Sequence, residues 1–237
     1  MLESNASLQC PSGMILGIES TAHTLSFGLV DEDGSTRPSV SDLFKPDEGG
    51  IHPREAADHH SDVAGDLLSL VMHENSVTSS DISAIAFSQG PGLGPCLRVG
   101  ASVARALSKS WEIPLVGVNH CVAHIEIGRE QCGCDDPVLL YASGGNTQVI
   151  TRLAGRYRVL GETLDIGIGN MLDKFARSNG IPFPGGPEIE KLAKGGELSK
   201  FKFPIAKIKG SENNFSFSGL KTSLYYLIKN NDKEMIN

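Results

Sequence analysis

The sequence has no apolar run near the roughly 20 residues that a helix needs to cross a bilayer. Its first residues, MLESNASLQCPSG, have neither the basic n-region nor the apolar h-region of a secretory signal. Positive charge is short: 21 Lys+Arg stand against 28 Asp+Glu, and the net charge of −7 argues against a generic nucleic-acid coat. There are only five cysteines (Cys10, Cys96, Cys121, Cys132 and Cys134), an odd count that fits reduced thiols in the cytosol better than a disulfide framework. Cys132-Gly133-Cys134 is too tight for a usual zinc knuckle and has no second pair. A nucleophile–base pair is also missing: Ser143 has no obvious histidine partner in sequence, which disfavours a protease. What remains is ordinary globular composition over 237 residues, 40% hydrophobic and 21% charged, enough for one large domain or two small ones.

The apolar pattern predicts an α/β protein. Ile15–Ile18 and the alternating Thr24–Val30 read as two strands of a hairpin, followed by a turn at Asp31–Gly34. Val63, Leu67, Leu70 and Val71 repeat at helical spacing within 59–74, and Ile82–Phe87 reads as a short buried strand. A rigid turn, Gly90-Pro91-Gly92-Leu93-Gly94-Pro95, leads to a helix over Leu97–Trp111, a strand over Pro114–Val118 and a helix over His120–Arg129. Val138–Tyr141, Thr147–Arg152 and Tyr157–Gly161 then repeat the opening strand pattern, and Ile168–Ser178 reads as a helix. The repetition suggests a duplicated fold with a cleft between the halves, where ligands are favoured. The expected division is an N-terminal extension (1–13), a first domain (14–134) and a second domain (135–237). The second lacks a visible closing strand–helix set, and Met14 is a candidate start.

Four segments could carry chemistry. His120-Cys121-Val122-Ala123-His124 places two imidazoles on one helical face, about 5–6 Å apart at Cβ. Taken alone, that spacing suits either two ligands of one metal or ordinary surface and capping residues. Ser143-Gly144-Gly145-Asn146-Thr147-Gln148 follows a strand and is either an anion-cradling loop or a plain hairpin turn. Asp165-Ile166-Gly167-Ile168-Gly169 runs into a helix on which Asp173 and Arg177 lie four apart, the spacing of a simple ion pair. In Ile181-Pro182-Phe183-Pro184-Gly185-Gly186-Pro187-Glu188, Pro187 suits a first helical turn and Glu190 falls one turn in.

Together, and in this order, the blocks GIESTAHT, FSQGPGLGPCLRVG, GVNHCVAHIEIGR, YASGGNTQV, ETLDIGIGNMLDKFAR and GIPFPGGPEIEKLA closely resemble the universal family that makes N6-threonylcarbamoyladenosine in tRNA. This is the TsaD/OSGEP family, historically mislabelled as O-sialoglycoprotease. GGIHPREAADHH also fits, and the wording is nearest the archaeal branch. The resemblance runs from about Ile15 to Leu227. It implies the ASKHA (actin-like ATPase) architecture of two RNase-H-like halves, the second incomplete here. It implies transfer of the threonylcarbamoyl group from threonylcarbamoyl-AMP to N6 of adenosine 37, in tRNAs reading ANN codons. By resemblance, His120, His124 and Tyr141 match the family's metal-site residues, with iron expected and zinc the other choice. Tyr141, Ala142, Ser143, Gly144 and Gly145 match its adenylate loop. Asp173, Gly186 and Glu190 match its nucleotide and ribose contacts. The family's late GGVAxNxxLR-like segment and final aspartate ligand have no counterpart in this sequence.

The implied partners are tRNA, a KEOPS kinase and small subunits, in the cytoplasm, with no membrane. Lys191, Lys194, Lys200, Lys202, Lys207 and Lys209 could add a phosphate-facing strip. The rival readings are a shortened, non-catalytic interaction subunit and an ASKHA ATPase or sugar kinase. The intact histidine and Ser-Gly-Gly blocks weigh against the first, and the paired-histidine site weighs against the second.

Overall fold

A computed structural model describes residues 12–46, 50–197, 202–206, 208–211 and 213–234. Most of the expected N-terminal extension, Cys10, Lys200 and Lys207 lie outside the described residues. The chain forms two compact units. One contains residues through Lys45 with Ile51–His120, and the other contains the chain from Cys121 onward, with Pro46 and Gly50.

The first unit is a five-stranded mixed sheet with two helices. Strands β1 (Met14–Glu19), β2 (Thr24–Val30) and β3 (Val40–Leu43) form an antiparallel meander. Helix α1 (Pro53–Glu74) follows, then β4 (Ile82–Gly90), helix α2 (Gly94–Trp111) and β5 (Leu115–Asn119). The order is β3-β2-β1-β4-β5, with β4 parallel to both β1 and β5.

The period-2 pattern explains the sheet. Leu16 and Ile18 on β1 stand opposite Leu29 and Phe27 on β2, so all four point to one face, and all are buried. His60, Ala64, Leu67 and Val71 make the buried stripe of α1 at 3.6-residue spacing. α1 packs on β2 and β3, α2 packs on β4, and the two helices pack on each other. α1 begins at Pro53, earlier than the apolar period indicates, because a proline at its start and Glu55 in its first turn suit a helix N-terminus.

The second unit opens with α3 (His120–Cys132), whose first residue closes the first unit. Strands β6 (Val138–Ala142), β7 (Thr147–Leu153) and β8 (Arg156–Glu162) form an antiparallel meander like the one that opens the first unit. Helices α4 (Ile168–Ser178), α5 (Gly185–Ala193) and α6 (Ser218–Glu234) follow, with α4 packed on both others. Among the described residues the second sheet has three strands where the first has five. Ile125 of α3, Tyr141 of β6 and Ile150 of β7 form a small core, with Cys121 and Leu139 against it. Among the described residues no helix is long and apolar enough to cross a membrane, and no cysteine pair forms a disulfide.

Candidate functional site

In the first unit the chain leaves β1 at Glu19 and turns through Ser20–His23 into β2. Hydrogen bonds and close packing hold this turn. The Ser20 N–H donates to Ser88 Oγ at 3.0 Å. The Leu93 N–H donates to the Thr21 carbonyl at 2.7 Å. His60 Nε2, on a fully buried ring, lies 3.1 Å from the Ala22 carbonyl. Gly100 of α2 lets the helix come so close that a Cβ there would stand 2.0 Å from Ser20 Oγ. The glycine-rich turn after β4 thus has a structural partner. A Cβ at Gly92 would stand 2.4 Å from the Thr21 carbonyl oxygen, so only glycine lets Pro91–Leu93 lie against the β1–β2 turn.

The carboxylate so placed is that of Glu19. Its Oε1 accepts the Thr21 N–H at 2.6 Å, and its Oε2 lies 3.1 Å from His120 Nδ1. Burial pushes the Glu19 carboxyl up, but hydrogen bonds from His120 and Thr21 outweigh it and hold the pKa below the ordinary carboxylate value. An ionised Glu19 carboxylate can only accept, so a proton on His120 Nδ1 completes this hydrogen bond. This is the arrangement in which a carboxylate orients a metal-binding histidine. Glu19 lies in the GIESTAHT block, and sequence reasoning offered it as a candidate catalytic base near the cleft, not as a partner of His120. Its partner is 101 residues away, and no local signal connects the two.

His124 follows His120 by four residues on α3. Within the second unit its ring centroid is 5.1 Å from that of Tyr141, at an interplanar angle of 56°. Tyr141 is 7% exposed and leads into the turn through Ala142, which is exposed and opposite Thr147. Imidazole and phenol are the donor types that take iron or zinc. Among the described residues no group of three His, Cys, Asp or Glu is placed to hold an ion.

The turn itself is a two-glycine hairpin. The Ser143 N–H donates to the Asn146 carbonyl at 2.9 Å, and the Asn146 N–H donates to Ser143 Oγ at 3.1 Å. Gly144 and Gly145 are exposed, and a Cβ on either would meet nothing within 4 Å. Their open side is available to a ligand, and the backbone beneath them is held. The N-terminus of α4 is fastened to the turn: the Ile168 N–H donates to buried Thr147 Oγ1 at 2.9 Å, and the Gly169 N–H to the Ser143 carbonyl at 3.1 Å. A Cβ at Gly167 would stand 2.6 Å from the Gly144 carbonyl oxygen, and one at Gly169 would stand 2.9 Å from the Gly144 nitrogen. The Gly-x-Gly spacing is therefore what close packing against the turn requires.

Asp173 of α4 does not pair with Arg177 among the described ion pairs. Its Oδ1 accepts the N–H of Gly185, the first residue of α5, at 2.8 Å. Gly185 sits so close to α4 that a Cβ would be 2.3 Å from that of Ala176. This bond fixes the start of α5, and with it Gly186 and the exposed Glu190 one turn later. Asp165, just before α4, is a residue whose role sequence reasoning missed. Its carboxylate accepts the N–H groups of Ile166, Phe217 and Ser218 and the hydroxyl of Ser216. Burial raises its pKa, but those bonds prevail and hold it well below the usual carboxylate range. Asp165 thereby caps α6 from a distant part of the chain.

The family described as TsaD, tRNA N6-adenosine threonylcarbamoyltransferase, matches residues 39–235. The tRNA N6-adenosine threonylcarbamoyltransferase of Archaeoglobus fulgidus is 57% identical over 208 residues, covering 88% of this chain and 62% of that protein. A probable bifunctional tRNA threonylcarbamoyladenosine biosynthesis protein of Thermoplasma volcanium is 54% identical over 225 residues, covering 94% of this chain and 42% of that protein. The chain thus spans less than two thirds of the length of these curated relatives. Among solved structures, YeaZ from Pseudomonas aeruginosa is similar at a TM-score of 0.45 and 18% identity, over 62% of this chain and 64% of that one.

Proposed function

Because the chain belongs to the tRNA N6-adenosine threonylcarbamoyltransferase family, we propose that it takes part in that reaction: transfer of threonylcarbamoyl from threonylcarbamoyl-AMP to adenosine 37 of tRNAs reading ANN codons. In this step N6 of the adenosine attacks the carbamoyl carbon, a C–N bond forms, and the bond to the phosphate oxygen breaks. AMP leaves with the electron pair, and N6 gives up one proton. The amine is a weak nucleophile, so positioning and charge stabilisation carry most of the acceleration.

His120, His124 and Tyr141 are proposed to hold one divalent ion, iron or zinc, which when bound supplies Lewis-acid polarisation of the carbamoyl group. Glu19 keeps His120 in the Nδ1–H tautomer. Tyr141, Ala142, Ser143, Gly144 and Gly145 present a phenol, a hydroxyl and backbone N–H groups to the adenylate. Asp173 positions α5, on which Gly186 and Glu190 take the nucleotide and ribose contacts. A KEOPS-type kinase and small subunits are the proposed partners, and the cytoplasm is the proposed location.

The observation that carries this reading is a sequence of parts within the second unit. His124 touches the ring of Tyr141, and Tyr141 leads into a turn that is rigid below and open above. The test is nucleoside analysis by mass spectrometry. An ANN-decoding tRNA is incubated with the chain, synthetic threonylcarbamoyl-AMP and iron or zinc, with and without the kinase and small subunits. N6-threonylcarbamoyladenosine is expected from the wild type and not from His124→Ala. Adenylate binding without product would favour the second reading, a non-catalytic subunit.

A further inference from the structure

Helices α4 and α6 enclose an open groove of about 490 Å³ whose lining includes Lys174, Arg177, Lys221, Thr222, Tyr225 and Tyr226. On α6 the residues Lys221, Thr222, Tyr225 and Tyr226 recur at the i, i+1, i+4, i+5 spacing of one helical face. Lys229, one turn on, places its ammonium 5.7 Å from the Tyr225 ring centroid. Tyr225 and Tyr226 are 45% and 56% exposed, far more than ordinary packing leaves an aromatic ring. Among the described residues no carboxylate forms an ion pair with Lys174, Arg177, Lys221 or Lys229. The acid nearest in sequence, Asp173, is turned to the Gly185 N–H. A cationic groove in a chain of net charge −7 is a local exception that overall composition does not explain.

We infer that this groove binds RNA, with Lys174, Arg177 and Lys221 on backbone phosphates and Tyr225 and Tyr226 stacking on unpaired bases. Cations that track a phosphate backbone beside aromatic platforms are how proteins hold single-stranded or loop RNA without reading its sequence. A phosphate and a base also occur together in a free mononucleotide, so the experiment separates the two sources. The inference deepens the proposed function, because it gives the tRNA substrate a surface apart from the residues assigned to metal and adenylate. Its lining shares no residue with the Lys191–Lys209 strip.

The experiment is fluorescence anisotropy of an anticodon stem-loop RNA with the full chain over a salt series. AMP and inorganic phosphate serve as competitors. Three phosphate contacts predict a slope of log affinity against log salt of about −2, at roughly 0.7 per contact on a single strand. Lys174→Gln with Lys221→Gln should flatten that slope by more than half. Tyr225→Ala should weaken binding about tenfold and leave the slope unchanged. Tyr225 is exposed and Lys174 and Lys221 are half-buried, and circular dichroism checks that each variant is folded. Unchanged affinity and slope in the folded variants would overturn the inference. So would the absence of salt-dependent RNA binding in the wild type, or displacement of the RNA by AMP at matched concentration. His120→Ala/His124→Ala should retain RNA binding. Absence of modified nucleoside from the wild type, with the groove still binding RNA, would therefore count against the proposed reaction and not against the groove.

Discussion

Replacing Gly167 by alanine tests the claim that the Ser143–Asn146 turn is held from behind. The new Cβ would stand 2.6 Å from the Gly144 carbonyl oxygen and 2.8 Å from both the Asn146 nitrogen and the Ser143 carbonyl oxygen. All three are backbone atoms, and no side chain can rotate away to relieve the contact. The start of α4 and the turn must move apart, which stretches the Ile168 N–H···Thr147 Oγ1 and Gly169 N–H···Ser143 O bonds. Two hydrogen bonds at about 1 kcal/mol each and overpacking at about 1–3 kcal/mol give a loss of about 3–5 kcal/mol. That is a large part of the roughly 5–15 kcal/mol by which a domain is stable. The control is Gly144→Ala, where a Cβ meets nothing within 4 Å and the expected change is within about 0.5 kcal/mol. Hydrogen exchange at the Ile168 and Gly169 amides reads the local effect even if the two units unfold separately, and urea denaturation reads the whole. If Gly167→Ala and Gly144→Ala exchange and unfold alike, the turn is not clamped as described.

The remaining predictions address the two carboxylates and the buried histidine. Glu19→Ala should weaken metal binding about 10- to 100-fold and remove the Nδ1–H signature of His120 from nitrogen NMR of the metal-free chain; equal affinity with the tautomer intact would refute the role of Glu19. Asp165→Ala should destabilise α6 by about 1–2 kcal/mol, the cost of losing a cap, read as faster amide exchange in residues 218–222. Because the folded pKa of Asp165 is depressed, that contribution should be constant above pH 4 and lost only as pH falls below the unfolded value of 3.8. A gap that closes between pH 8 and pH 5 would contradict it. His60 is fully buried, and desolvation holds its pKa below 6.5 against the Ala22 hydrogen bond, with His59 and His23 lowering it further and Glu19 opposing them. The unfolded chain therefore binds the extra proton, stability should fall as pH drops below 6.5, and thermal melts of His60→Gln should have a shallower acid slope.

Elements that declare themselves through local periodicity were legible. The alternating Thr24–Val30 strand and the Ile168–Ser178 helix have the same bounds in the sequence reading and in the structure. β3 escaped notice because only Val40 of its four residues is buried, so it has no alternation to detect. α6 escaped because its start is set by Asp165, 53 residues from Ser218, rather than by a capping residue of its own. The same limit applies at the site. The Gly-Gly and Gly-x-Gly spacings could be read as close approaches, but not what approaches them. That Gly167 and Gly169 meet the Ser143–Asn146 turn, that Asp173 meets Gly185 instead of Arg177, and that Glu19 meets His120 are all products of tertiary packing. The α4–α6 groove likewise joins residues of two separate helices.

The most direct test of the account is the metal content of the purified chain after loading with iron or zinc, measured by mass spectrometry beside His120→Ala/His124→Ala. The account predicts one ion per wild-type chain and none in the folded double variant. A wild type that holds no ion, or a double variant that keeps a full equivalent, would contradict it.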